Sequence, residues 1–243
     1  MKTSILSGIC LLMSAFAFSG CFNYSAAPKP SKVQVTKKYS VDAFDQIKST
    51  APASITFTQG SAIKVEAEGP ENYVERLRVT VKGKTLHIDM EDKLFSKNNC
   101  ENLKFTIVAP NLNDIDHYGV GNFTLQDKVK VDELSIELGG VGNVQTDELI
   151  VRKLEVESDG VGSILLSGKA QQASYEQNGV GSIKAKDMEV SDLTVEQNGV
   201  GSVTCYASGT IRIDCNGVGS VDYYGDPQVK QLNKSGVGSI NKK

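Results

Sequence analysis

Tryptophan is absent from this 243-residue chain, and histidine occurs only twice. The first absence rules out a tryptophan-lined sugar groove. The second leaves little for a histidine-based metal or triad site, since His87 and His117 are isolated in sequence. There is no basic excess either: 26 Lys and Arg face 29 Asp and Glu, a net charge of −3. With no positive surplus to neutralise phosphates, the chain is not read as a nucleic-acid binder. Helical periodicity is missing throughout, and an apolar run occurs only between Ile5 and Phe18. Cysteine is sparse. Apart from Cys10 and Cys21 near the start, Cys100, Cys205 and Cys215 remain, an odd number that completes no disulfide framework.

The opening twenty residues read as an export signal, too short to span a bilayer comfortably. The stretch Phe18-Ser19-Gly20-Cys21 resembles the lipobox of bacterial lipoproteins, with Phe18 in place of the usual aliphatic residue. The resemblance implies cleavage before Cys21 and a diacylglycerol on its sulfur, so that the chain meets a membrane through a lipid anchor. A plain secretory signal is the simpler alternative. Loss of Lys2 with the leader gives a mature charge of −4. Residues 21–38, with Pro28, Pro30 and four lysines, read as a tether. Residues 22–25 lack both an acidic run and an Asp after the cysteine. The expected address is therefore the outer membrane, facing the periplasm, with the cell surface as the alternative.

What the chain has in plenty is glycine, 23 in all, and 14 of these lie in one triplet repeated seven times. Gly-Val-Gly begins at Gly119, Gly140, Gly160, Gly179, Gly199, Gly217 and Gly236, at intervals of 18 to 21 residues. A fixed period of this length marks a stacked array. Four residues before each triplet stand Ile115, Ile136, Val156, Tyr175, Val195, Ile213 and Leu232. Four residues after its first Gly stand Phe123, Val144, Ile164, Ile183, Val203, Val221 and Ile240. Six before it the column is mostly Leu, Ile or Ala and breaks in the last repeat at Lys230. Apolar positions of one parity between polar ones are the signature of a strand with one buried face. Each repeat reads as strand, glycine turn, strand, second turn. Glycine suits a turn with positive φ. The polar residues beside the triplet, such as Asn178, Asn198 and Asn216 before it or Asn143 and Ser182 after it, can bond turn backbone or the same residue one coil on.

The fold expected is all-β: a parallel, right-handed β-helix solenoid of ~20-residue coils with a β-rich N-terminal cap. A propeller needs about four strands per blade, and only two fit each repeat. Residues 39–110 alternate in short runs and form the cap; residues 111–243 form the repeat solenoid. The far end carries no comparable cap, which makes a homo-oligomer a candidate arrangement.

Over Tyr39 to Ile240 the chain resembles the head GIN domain family of putative auto-transporter adhesins, a domain of unknown function. The carriers are Phe44-Asp45-Gln46-Ile47, Ile55-Thr56-Phe57-Thr58-Gln59-Gly60, Leu86-His87-Ile88 and the glycine-rich repeats. The resemblance implies a β-helical, exported protein and transfers no catalytic residue. Pectin-degrading β-helices resemble such proteins in fold, which does not establish chemistry.

Three columns are candidate sites. Asp116, Glu137, Glu157, Glu176, Glu196 and Asp214 stand three residues before successive triplets and face outward together. Such an oxygen ladder could hold a cation such as calcium, or serve as a solvated acidic face. Tyr206 and Tyr224, seven residues after successive triplet starts, are candidate carbohydrate contacts or a cross-strand aromatic pair. Cys205 and Cys215 are offset across the turn and read as two buried free thiols. No helix and no Lys-Ser or Lys-Thr pair follows a Gly-Val-Gly, so it is not a phosphate loop. The expected function is a non-catalytic envelope lipoprotein presenting a β-helical binding or structural surface to a glycan or envelope protein, without a cofactor. The alternative is a polysaccharide-acting lyase or hydrolase. The repeat region offers such an enzyme only two arginines, Arg152 and Arg212.

Overall fold

Alternation of apolar and polar side chains lets a strand bury one face, and stacking like on like every twenty residues closes that face into a tube. The computed structural model describes residues 29–91 and 103–243. The leader, the lipidation cysteine Cys21, the tether to residue 28 and Cys100 lie outside the described residues. The rest forms a β-solenoid of about six turns of roughly 20 residues.

Its body is built from β9 (Phe123–Leu138), β10 (Val141–Ser158), β11 (Val161–Gln177), β12 (Val180–Gln197) and β13 (Val200–Cys215), stacked in parallel. The last turn is split into β14 (Val218–Tyr224), β15 (Gln228–Lys234) and β16 (Val237–Lys242). Where two strands per coil were expected, the structure has one long strand bent at a bulge, as between Gln145 and Leu149 or Ala185 and Glu189. The parallel register carries the backbone ladder through the bend. Only pairs such as Asp159-Gly160 interrupt it. The columns stack in register: Ile136, Val156, Tyr175, Val195 and Ile213 are successive partners, all fully buried or nearly so. Each buried aliphatic side chain contributes about 1.5–3 kcal/mol relative to exposure. At the break a register shift pairs Val229, not Lys230, with Ile211, while Val229 stays 44 % exposed at the end of the tube.

The cap begins earlier in the chain and merges with the tube. Strands β2 (Gln46–Ser49) and β3 (Ser54–Gln59) form a first coil that pairs with β8 (Asp114–His117) and β9. Beyond it lie β6 (Thr85–Met90) on β2 and β7 (Lys104–Ala109) on β3. Antiparallel strands then close the end: β5 (Leu77–Lys82) on β6, β4 (Lys64–Pro70) on β7, and β1 (Gln34–Tyr39) on β4. The edge strand β1 thus occupies a stretch expected to be tether, and Ser31 N–H already donates to Asn72 Oδ1 at 2.8 Å. A single helical turn, α1 (Glu71–Val74), buries Tyr73 and Val74. Four residues are too few to show a helical period in sequence.

Candidate functional site

The site grows from the corner that each coil makes at Gly-Val-Gly. The last glycine of the triplet is in positive-φ backbone, between 140° and 152° from Gly121 to Gly219. The first glycine is required for a different reason. A Cβ on Gly160 would overlap the carbonyl oxygen of Gly140 in the coil before it. Positive φ was expected of the turn; close stacking of backbone on backbone is the second constraint.

Between two glycines that pull the backbone inward, the valine is thrown outward. Seven valines follow one another along the tube, 46 to 54 % exposed from Val120 to Val218 and 74 % at Val237. On the other side of the first glycine stands a second row: Tyr118, Gly139, Asp159, Asn178, Asn198 and Asn216. Between the two rows runs a groove of about 950 Å³ floored by glycine backbone. Its polar wall is a ladder. Asn178 Nδ2 donates to Asp159 Oδ1 at 2.9 Å, Asn198 to Asn178 at 3.0 Å, and Asn216 to Asn198 at 3.0 Å. Tyr118 closes one end, with its ring against Gly139, where a Cβ would strike it.

The corner is braced from inside. Two residues before each triplet one register column reads His117, Leu138, Ser158, Gln177, Gln197, Cys215 and Lys234, and Ser49 continues it into the first coil. His117 Nε2 donates to Gly121 O at 3.0 Å, Gln177 Nε2 to Gly179 O at 2.8 Å, and Gln197 Nε2 to Gly199 O at 2.9 Å. These polar side chains satisfy carbonyls that the glycine corner turns into the tube. Burial lowers the His117 pKa below its ordinary value.

The acidic column is in register from Asp116 through Glu137, Glu157, Glu176 and Glu196 to Asp214. It runs beside the polar wall of the groove: Tyr118 OH donates to Glu137 Oε1, and Asn178 Nδ2 to Glu176 Oε1 at 2.9 Å. Lys48 Nζ holds Asp116 at 2.7 Å, and Gln231 and Asn233 hold Asp214. Burial, then the neighbouring carboxylates Asp159, Glu176 and Glu137, push the Glu157 pKa up. Among the described residues no three His, Cys, Asp or Glu side chains gather as a metal-holding group. Tyr206 and Tyr224 are cross-strand partners, with Lys186 Nζ 4.7 Å from the Tyr224 ring centroid, and they do not line the groove. Cys205 and Cys215 are buried free thiols, and burial pushes the Cys205 pKa up to about 12. Arg152 is engaged by Asp132 at 3.0 Å and by Glu133.

The acidic and tyrosine columns are legible in the sequence; the groove is not, although its marker, the valine of the triplet, stands there in seven copies.

A tube of stacked coils carrying one repeated, outward-turned groove defines the class: a β-solenoid domain. The chain belongs to the family described as "Putative auto-transporter adhesin, head GIN domain", whose model matches residues 43–227. An adhesin-like function and an exported or cell-envelope setting go with that membership. It is similar to a putative adhesin from Bacteroides fragilis NCTC 9343, at 37 % identity and TM-score 0.85 over 88 % of this chain and 99 % of that one. A putative adhesin from Parabacteroides distasonis ATCC 8503 is 21 % identical, with TM-score 0.69 over 87 % and 97 %. A putative lipid binding protein from the same organism is 23 % identical, with TM-score 0.65 over 88 % and 98 %. These last two share the fold. No curated protein matches the chain. Among the described residues no helix is long and apolar enough to cross a membrane.

Proposed function

We propose that the chain is a non-catalytic lipoprotein of the cell envelope that uses the valine-walled groove as its adhesive face. The observation that carries this reading is the unbroken row of seven exposed valines. Scattered exposed valines need no explanation, but a continuous apolar stripe rimmed by polar groups marks a contact surface. Repetition adds to it: a rigid tube offers the same weak contact several times to one extended partner. The non-catalytic part is supported by the groove's chemistry. Its ionisable lining groups are Asp159 and Tyr118, and the Tyr118 phenol, bonded to Glu137, is pushed far above its ordinary pKa. The phenol is thereby withheld from acid or base work at neutral pH. The lipid anchor rests on Phe18-Ser19-Gly20-Cys21, and the outer membrane is the address in keeping with it; an adhesive face favours the cell-surface side, the alternative to the periplasmic one expected from residues 22–25.

Protease shaving of intact cells, with a lysed control and palmitate labelling of wild type and Cys21→Ser, tests the reading. Digestion on intact cells and loss of label in the variant are expected. Digestion only after lysis overturns the adhesive role, and label retained without Cys21 overturns the anchor.

A further inference from the structure

The two walls of the groove are chemically unlike, and both repeat at the spacing of stacked strands, ~4.8 Å. Over the seven rungs from Val120 to Val237 that amounts to about 29 Å. One wall is aliphatic. The other is an amide ladder in which Asn198 and Asn216 each spend one N–H on the preceding carboxamide oxygen. A carboxamide has two N–H donors and two acceptor positions, so hydrogen-bonding capacity remains on that wall for a ligand.

Three occupants can be compared. An acyl chain would cover the valines but strand the amides, at about 1–3 kcal/mol for each polar group left unpaired. An extended polypeptide along the groove repeats like-facing side chains every ~6.6–6.8 Å, and drifts out of step with a ~4.8 Å ladder within two rungs. A pyranose ring presents an apolar C–H face and a hydroxyl edge in every unit, and its length along a linear chain is close to the rung spacing. Charge narrows the choice further. Asp159 stands in the amide wall, and Glu137 and Glu176 touch it from behind through Tyr118 and Asn178. Lys48, the cation nearest that end, is already held by Asp116. A polyanion would be repelled along the whole wall. Tyr118, with its ring against Gly139 and Lys48 Nζ 4.8 Å from the ring centroid, bounds that end of the groove.

We infer that the groove binds a neutral, linear polysaccharide laid along the solenoid axis, with its C–H faces on the valines and its hydroxyls on the asparagine ladder. This rests on the reading of the groove as the adhesive face. It also moves the sugar contact from the Tyr206 and Tyr224 pair to Val161, Val180, Val200, Asn198 and Asn216.

Calorimetric titration of the mature chain tests it, with six-unit probes: β-1,4-glucan, β-1,3-glucan, β-1,4-xylan, β-1,4-mannan, oligogalacturonate and, separately, stearate. At least one neutral probe is expected to bind with little salt dependence. Its Kd should rise about tenfold or more in Val161→Ser/Val180→Ser/Val200→Ser and in Asn198→Ala, and stay unchanged in Lys184→Ala on another face. Thermal melts of each variant separate lost binding from lost fold. Failure of every neutral probe, or binding indifferent to the groove variants, overturns the inference. Groove-dependent binding of oligogalacturonate alone overturns the neutral character of the ligand, and of stearate alone the sugar class, either one leaving the groove as the adhesive face.

Discussion

Two kinds of glycine hold the corner, and they differ in what a methyl group would meet. At Gly181 the φ is 152° and a Cβ would run into the Gly162 carbonyl one coil below. At Gly83 the φ is 64° with open space around the Cβ. Gly83→Ala should therefore cost about 1 kcal/mol, the price of a left-handed residue alone. Gly181→Ala, which adds a backbone collision to its strain, should exceed about 3 kcal/mol. Urea unfolding of both variants checks the order. His117 allows a second residue-scale prediction. Its register neighbours are Ser49 and Leu138, and Phe123 packs at its edge. None of these titrates near neutrality, and burial alone lowers its pKa from the ordinary 6.5. Below that value the unfolded chain takes up a proton that the folded chain refuses. The group's contribution is thus present above about pH 6.5 and declines as pH falls toward the lowered folded value, by at most ~1.4 kcal/mol per pH unit. His117→Gln should remove that slope, since Gln177 and Gln197 already fill the same column in later coils. Unfolding curves at pH 7.5 and 5 that change equally in both proteins would sink this.

Within a coil, inward and outward positions carry different weights. Ile183 is fully buried and Val180, three residues earlier, is half exposed. Ile183→Ala should cost about 2–5 kcal/mol, whereas Val180→Ser should stay within about 1 kcal/mol, both read from thermal melts. A valine that adds little to stability yet recurs in seven coils serves the surface, not the core. The coil was the most legible element in the sequence. Ile136, Val156 and Val195 sit at one parity and stack as that parity demands. The corner keeps that parity: Val161, five residues after Val156, faces outward as counted. Counting does not reveal that Gly160, with no side chain between Asp159 and Val161, leaves a groove there. The inward column of Gln177 and Gln197 was not legible, because polar side chains stand there to satisfy corner carbonyls. The strand-to-strand turn was also misjudged, since a bulge at Ala185/Glu189 bends the ladder without ending it.

At the scale of the whole molecule the two ends are treated differently. Antiparallel strands β1, β4 and β5 close the end beyond β6 and β7, an arrangement that short alternating runs announced without revealing its pairing. The last coil leaves Leu232 43 % exposed in a column that is otherwise buried. There the inward positions of Cys215 and Tyr223 are taken over by Lys234 and Lys242. Lys234 Nζ donates to Gly238 O at 2.9 Å and Lys242 pairs with Asp226 at 2.6 Å. Inward-pointing charge on an end strand discourages another strand from adding to it, because stacking would bury the ammonium groups. Lys234→Gln/Lys242→Tyr should therefore self-associate more than wild type in sedimentation velocity. Equal sedimentation would show that the lysines guard nothing.

The central claim is that the glycine-corner groove is the occupied face of the protein in its envelope. A thiol placed in it reports this directly. Val180→Cys and Lys184→Cys, each in a Cys100→Ser background, would be labelled with a small maleimide in the purified chain and in native envelopes. Cys205 stays silent because burial holds its thiol protonated. Both new thiols should label rapidly when purified. In the envelope, Val180→Cys should label several-fold more slowly than Lys184→Cys. Equal labelling of the two thiols in the envelope would mean that nothing lies along the valines, and would contradict the claim.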